Sequence, residues 1–175
     1  MRVFLRPVTE QDGPYIVKWR NSDRVKKHCL SKTPITEASN REFYRMNVLT
    51  GKYKQFMVER VEEGSGVVSY PIATIYLKDM DYDNKRCELC VFTSNDIEWD
   101  DEGRRLAIKL ILDKAFTEYG IHKVYSNVIF NVNESVELLK GIGFTIEAVL
   151  RSEAIIDGEF VDIYRLCMFN PNDSI

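Results

Sequence analysis

An α/β domain with a mixed sheet is predicted by three features of this sequence. From Gly103 to Phe144 the chain reads as helix, strand, helix and then Gly143-Phe144. Between Gln55 and Phe92 it reads as a meander of strands joined by short turns, and near the C-terminus Asp157-Gly158 divides two strand-like stretches as a hairpin turn would. With 175 residues and 45% apolar side chains, the chain carries enough apolar material for one domain spanning 1–175 with no staple of disulfides or metal.

The elements follow in order. Val3 to Leu5 is a short apolar strand, and Thr9-Glu10-Gln11-Asp12 opens a helix with a Thr cap and acids in its first turn. That helix continues through Ile16, Val17, Trp19 and Arg20 and stops at Asn21-Ser22-Asp23. Arg24 to Pro34 is polar and left open. Thr36-Glu37-Ala38-Ser39 starts a second helix, with Phe43, Met46 and Leu49 on one face, ended by Thr50-Gly51. Gln55 to Arg60 alternates as a strand, Glu62 to Gly66 is a turn, and Val67 to Leu77 is a β-rich strand with Pro71 at a bulge or at its start. Asp79 to Asn84 turns the chain into a strand over Arg86 to Phe92. Arg104 to Tyr119 is a long helix, apolar nearly all round and stopped by Gly120, so it packs on more than one neighbour. Lys123 to Phe130 is a buried strand, and Glu134 to Lys140 a short helix capped by Gly141 or Gly143 before the last hairpin.

Charge and cysteine usage narrow the function. The 24 basic and 27 acidic residues give a net charge of -3, which predicts neither nucleic-acid nor membrane-surface binding. No apolar run approaches spanning length, and the start Met1-Arg2-Val3-Phe4-Leu5-Arg6-Pro7 lacks a signal peptide's apolar region, so a cytoplasmic location is expected. Cys29, Cys87, Cys90 and Cys167 are irregularly spaced and read as reduced thiols. Cys87-Glu88-Leu89-Cys90 lies in a strand, where positions three apart face opposite sides, and it lacks the second pair that zinc would need. Asp79 to Asn84 begins like a calcium loop but has Asn84 where glycine is required and Cys90 in place of the closing glutamate. His28-Cys29 lacks the surroundings of a thiol nucleophile. No metal is expected.

The run Leu106 to Phe116, then Gly120-Ile121-His122-Lys123-Val124-Tyr125, then Asn131 or Asn133 with Ser135, Leu138-Leu139-Lys140 and Gly143-Phe144, resembles the GNAT superfamily of N-acetyltransferases. Within that superfamily it is similar to the RimJ/RimL-like branch of ribosomal-protein-alanine, amino-sugar and polyamine acetyltransferases. Phe4-Leu5-Arg6-Pro7 with Thr9 and Asp12, Trp19-Arg20-Asn21, Pro71-Ile72-Ala73, Glu88, and Ile156 to Asp162 extend the resemblance over nearly the whole chain. It implies a GNAT-like acyl-CoA N-acyltransferase fold, an α/β (α+β) domain whose central mixed, mostly antiparallel sheet is flanked by helices. It also implies acetyl transfer from acetyl-CoA to a primary amine by direct attack, the acceptor being a protein N-terminus, an amino sugar or a polyamine. A homodimeric assembly is left open.

Such chemistry needs a base for the ammonium, polar groups for the oxyanion and a proton for the leaving thiolate. The resemblance makes Glu88 the candidate base, acting through a water; the plainer reading pairs Glu88 with Arg86 or Lys85, or leaves it in solvent. It places Val91 and Phe92 N–H groups at the thioester, Asn131 or Asn133 on the cofactor arm, the pyrophosphate at the start of the Arg104 helix, and Trp19, Arg20 and Asn21 on the acceptor side, with Tyr82, Phe92 and Trp99 as further lining. Two departures stand out. Leu139 occupies a position where many members have the Tyr that protonates the thiolate, leaving solvent or Tyr125 for that role. The pyrophosphate loop normally offers small residues, whereas an ungapped match sets Asp100, Asp101, Glu102, Gly103 and Arg104 across it, with Asp96 and Glu98 nearby. A loop one residue longer would instead bring Gly103 to the first small position and Arg104-Arg105 to the phosphates. In the plainer reading Asp100 or Asp101 simply caps the helix and the cofactor binds weakly, as in a degenerate GNAT-like binding or assembly domain.

Overall fold

Hydrogen bonding in the computed structural model, which describes residues 2–26, 29–64, 66–94, 100–130 and 133–173, joins seven strands into one sheet. They are β1 (Val3–Pro7), β2 (Lys54–Glu63), β3 (Val67–Asp81), β4 (Arg86–Thr93), β5 (Lys123–Ile129), β6 (Thr145–Ile156) and β7 (Glu159–Phe169), and their order is β1-β2-β3-β4-β5-β7-β6. Neighbours are antiparallel except β4 and β5, which run parallel. The mixed, mostly antiparallel sheet is therefore observed.

Helices cover both faces: α1 (Gly13–Arg20), α2 (Asp23–Lys26), α3 (Glu37–Phe43), α4 (Asp101–Asp113) and α5 (Asn133–Lys140). α3 and α4 run on into π turns over Tyr44–Val48 and Lys114–Glu118. Strand alternation explains why both faces need cover. Phe56 and Val58 point into the larger core, which Ala107, Ile108, Ile111, Leu112 and Ala115 of α4 fill. Met57 points the other way, into a smaller core with Val8, Ile16 and Trp19.

Several boundaries differ from the sequence reading. The α4 helix begins at Asp101 rather than Arg104, because Asp100 caps it and the acids fill its first turn. β3 runs four residues past Leu77, to Asp81, where the Asp81 carboxylate accepts from the Asn84 backbone and pairs with Arg86 at the hairpin. The single turn α2 starts at Asp23, within the expected stop of the first helix, and runs into the open stretch from Arg24. Phe43, Met46 and Leu49 are exposed rather than packed. The π turn brings Tyr44 and Val48 against the smaller core instead, and Phe43 reaches only the edge of the Tyr53 ring, 5.0 Å between centroids. Pro71 lies at a bulge, where the register steps from Val58↔Ala73 to Glu59↔Pro71. At the end of α5 it is Gly143, at φ +122°, that permits the turn, while Gly141 lies against the Arg105 guanidinium. Asp157 and Gly158 both have positive φ, as the hairpin turn requires.

A polar clamp ties the N-terminal helix to the sheet. Arg6 on β1 donates to both oxygens of Asp12, at 2.8 and 2.7 Å, and to Glu59 on β2 at 2.8 Å. Asp12 also accepts from the Thr9 amide and hydroxyl. Among the described residues no helix is long and apolar enough to cross a membrane.

Candidate active site at the β4–β5 gap

β4 and β5 pair only over Arg86↔Lys123, Cys87↔Val124 and Glu88↔Tyr125, and then part. Beyond Glu88 the β4 edge facing β5 has no strand partner among the described residues. The Ser126 hydroxyl reaches across and donates to the Leu89 carbonyl at 3.0 Å. Because backbone groups alternate along a strand, the Val91 N–H also faces the gap, while the Phe92 N–H faces β3, where Phe92 pairs with Thr74. Of the two amides expected at the thioester, Val91 alone is turned toward the gap.

The gap opens into a cavity of about 630 Å³ that crosses the sheet. On the α4–α5 side its wall includes Leu89, Val91, Arg104, Ile108, Leu138 and Leu139; on the α1–α2 side it includes Arg20, Arg24, Cys29, Tyr76, Lys78, Glu88 and Cys90. Leu139 thus lines the cavity with an apolar side chain that cannot donate a proton. Glu88 sits where the strands begin to part and is only 7% exposed. Its partner is Lys78 on β3, with Nζ to Oε2 at 3.3 Å, rather than Arg86 or Lys85. Cys90 Sγ donates to its other oxygen at 3.5 Å. Burial and the neighbouring Glu88 push the Cys90 thiol up to about 12, so it stays neutral. Burial works against the Lys78 ammonium while the neighbouring Glu88 and Asp79 carboxylates favour it; its pKa lies above the ordinary value, so the ammonium persists.

At the start of α4, Asp100 Oδ1 accepts from the Gly103 N–H at 2.7 Å. The Arg104 guanidinium donates to Glu134 at 2.7 Å and Asp101 at 3.4 Å; its Nε is buried with no hydrogen-bond partner among the described residues. Arg105 turns away from the cavity, its guanidinium on Gly141 and 3.5 Å from the Leu138 carbonyl. The helix start therefore presents one arginine to the cavity, not the expected pair.

On the acceptor side the expected trio divides. Trp19 is buried in the smaller core, and the Asn21 amide holds Ile35 through two backbone bonds of 2.7 and 2.9 Å. Only Arg20 lines the cavity. The Phe92 ring lines it too, 5.3 Å from the Tyr76 ring. Asn133 is the exposed first residue of α5 and lies away from the lining, whereas Ser135 belongs to it. Asn131, Trp99, Asp96, Glu98 and His28 lie outside the described residues. Tyr82 and Tyr125 line a broader neighbouring depression of about 1080 Å³, where Lys123 pairs with Glu147. Burial and Glu88 raise the Tyr125 phenol pKa, and Arg165 lies 4.9 Å above its ring. Cys87 is in the core and Cys90 at the cavity, on opposite sides of β4. No cluster of metal-ligating side chains occurs among the described residues.

The described family "Acetyltransferase (GNAT) domain" matches residues 2–145. The chain belongs to the GNAT acetyltransferases. Among characterised GNAT relatives, the spermidine N(1)-acetyltransferase of Escherichia coli (strain K12) is 23% identical over 167 residues, covering 95% of this chain and 86% of the relative. The spermidine N(1)-acetyltransferase of Vibrio cholerae is 22% identical over 165 residues, covering 94% and 91%. A crystal structure of Vibrio cholerae spermidine N-acetyltransferase with CoA and spermine superposes with a TM-score of 0.83 at 20% identity, over 96% of this chain and 95% of that one. The GNAT fold is thereby established.

Some cavity residues escaped the sequence reading. Lys78 was legible in principle, since a hairpin folding Asp79 to Lys85 back on itself sets position 78 near position 88; the shift of register between Lys78 and Asp81, with Asp79 at positive φ, obscured it. Ser126 also left a trace, a hydroxyl at an otherwise apolar inward position between Val124 and Val128.

Proposed function

We propose that the chain transfers an acetyl group from acetyl-CoA to a primary amine, which attacks directly. The observation that carries this reading is the parting of β4 and β5 with Glu88 at the start of the gap. The free β4 edge suits the amide groups of the pantetheine arm, which would add there as a strand does and displace the Ser126 hydroxyl from Leu89. Arg104 is the side chain available to a phosphate, at the cost of its bonds to Glu134 and Asp101.

Glu88 takes the proton of the incoming ammonium, directly or through a water. Lys78 assists: a fixed cation beside a second ammonium disfavours the charged form of the latter and so promotes the free amine. The Val91 N–H is the donor for the carbonyl oxygen as negative charge develops. With Leu139 unable to supply the thiolate's proton, and Tyr125 lining the neighbouring depression and not the cavity, water returns it. Protein N-termini, amino sugars and polyamines are the acceptors to test, polyamines first because the relatives named above are spermidine acetyltransferases.

A second reading has its own support. Asp100 already satisfies the Gly103 N–H, so the helix start is self-capped, as in a domain that keeps the fold and binds CoA weakly. Calorimetric titration with acetyl-CoA and CoA separates the two. Micromolar binding that weakens roughly tenfold or more in Arg104→Ala supports the enzyme. No detectable heat at millimolar cofactor removes it and leaves the degenerate domain.

A further inference from the structure

Arg20 is 9% exposed, and its two terminal nitrogens have different fates. Nη2 donates to the Ser31 carbonyl at 2.6 Å, whereas Nη1 is buried with no hydrogen-bond partner among the described residues. A buried guanidinium nitrogen without an acceptor is costly, and such groups are normally satisfied by protein, water or a ligand. Arg20 lines the cavity beside Arg24, and neither forms an ion pair with a described residue. On the α1–α2 side of the sheet the charged lining is Arg20, Arg24 and Lys78 against Glu88, and Glu88 is engaged by Lys78. A polyamine laid along that wall would bring its second ammonium against arginines, with no free carboxylate among the described residues of that wall to receive it.

We infer that the acceptor is a primary amine carrying an anionic group, a carboxylate or a phosphate, which Arg20 and Arg24 bind while the amine lies at Glu88. The inference rests on the acetyltransferase reading and narrows it. Cys90 hydrogen-bonds both Glu88 and Tyr76, while Arg20 lines the same cavity and bonds Ser31, with no hydrogen bond or ion pair to Glu88 among the described residues. Amine and anion are therefore separated by a spacer, unlike the two groups of a free α-amino acid. Arginine is the suited residue, since its planar fork matches the oxygens of either anion.

The test uses matched amines with acetyl-CoA and the full chain: glucosamine 6-phosphate against glucosamine, and 6-aminohexanoate against hexylamine, with spermidine as the cationic comparison. The expected result is a kcat/KM preference of tenfold or more for the anionic member of at least one pair, the pair identifying phosphate or carboxylate. Arg20→Gln and Arg24→Gln should each reduce that preference severalfold, chiefly through KM. Turnover of spermidine, or of the amines that lack an anionic group, at least equal to that of their anionic partners overturns the inference while leaving the acetyltransferase reading intact. Should none of the amines react, inorganic phosphate is titrated into the CoA-saturated protein: binding lost in both variants upholds the anion site, and no binding, or equal binding in the variants, overturns it. A chain that binds no acetyl-CoA overturns the acetyltransferase reading and the inference together.

Discussion

Glu88 illustrates what a single side chain owes to its neighbours. It is buried at the point where β4 and β5 part, with Lys78 at 3.3 Å and the neutral Cys90 thiol on its other oxygen. Glu88→Gln removes the proposed proton acceptor while keeping shape and hydrogen bonding, so turnover should fall roughly a hundredfold with little change in acetyl-CoA affinity. Steady-state rates beside calorimetry check this, and unchanged turnover would remove Glu88 from its role. Lys78→Met, which withdraws the neighbouring cation, should raise KM or lower kcat most at low pH, where the acceptor amine is chiefly ammonium; a rate deficit equal at all pH values would count against Lys78 promoting the free amine.

At the scale of elements, the turn from α5 into β6 holds the cavity wall. Leu139 gives its carbonyl to the amides of Gly143 and Phe144, and Gly143 closes the turn at φ +122°. An added Cβ would find space, its nearest neighbour being Met168 Cε at 3.7 Å, so backbone strain rather than a clash sets the cost. Gly143→Ala should lower stability by about 1 kcal/mol or more, read from the urea midpoint. The apolar run of α4 made it legible as a helix, but it is not apolar nearly all round: Ala107, Ile108, Ile111 and Leu112 form one buried stripe while Lys109 and Asp113 are exposed. Its start was not legible, because acids before an apolar run are equally suited to a loop and to a helix's first turn. The face of α3 was misjudged for another reason: a π turn depends on hydrogen bonding that a period of 3.6 residues does not encode, and it sends Tyr44 and Val48 inward while Met46 and Leu49 face out.

Across the whole molecule, the Arg6–Asp12–Glu59 clamp joins the first helical turn to two strands. Burial by itself would raise the Asp12 pKa, but the Arg6 guanidinium and the Thr9 amide and hydroxyl outweigh it and hold the carboxyl below its ordinary value. Its folded pKa is thus below the unfolded value of about 3.9, so its stabilisation is present at neutral pH and is lost as pH falls below that value toward the folded pKa. Asp12→Asn should cost about 2 kcal/mol at pH 7 and flatten the acid limb of the thermal midpoint against pH. An acid limb as steep as the wild type's would assign acid unfolding to other carboxylates.

Apolar periodicity and turn residues were enough to determine the alternation of elements and the final hairpin, because these depend on residues close together in the chain, while the family was legible as a resemblance carried by motifs spread from Phe4 to Asp162. Which polar groups meet was decided only by the tertiary structure, because a cavity between β4 and β5 collects side chains from α1, α2, β3, α4 and α5 whose directions depend on register and capping. So Lys78 rather than Arg86 reaches Glu88, Arg104 faces the cavity while Arg105 lies on Gly141, and Arg20 is left with a buried nitrogen that has no described partner.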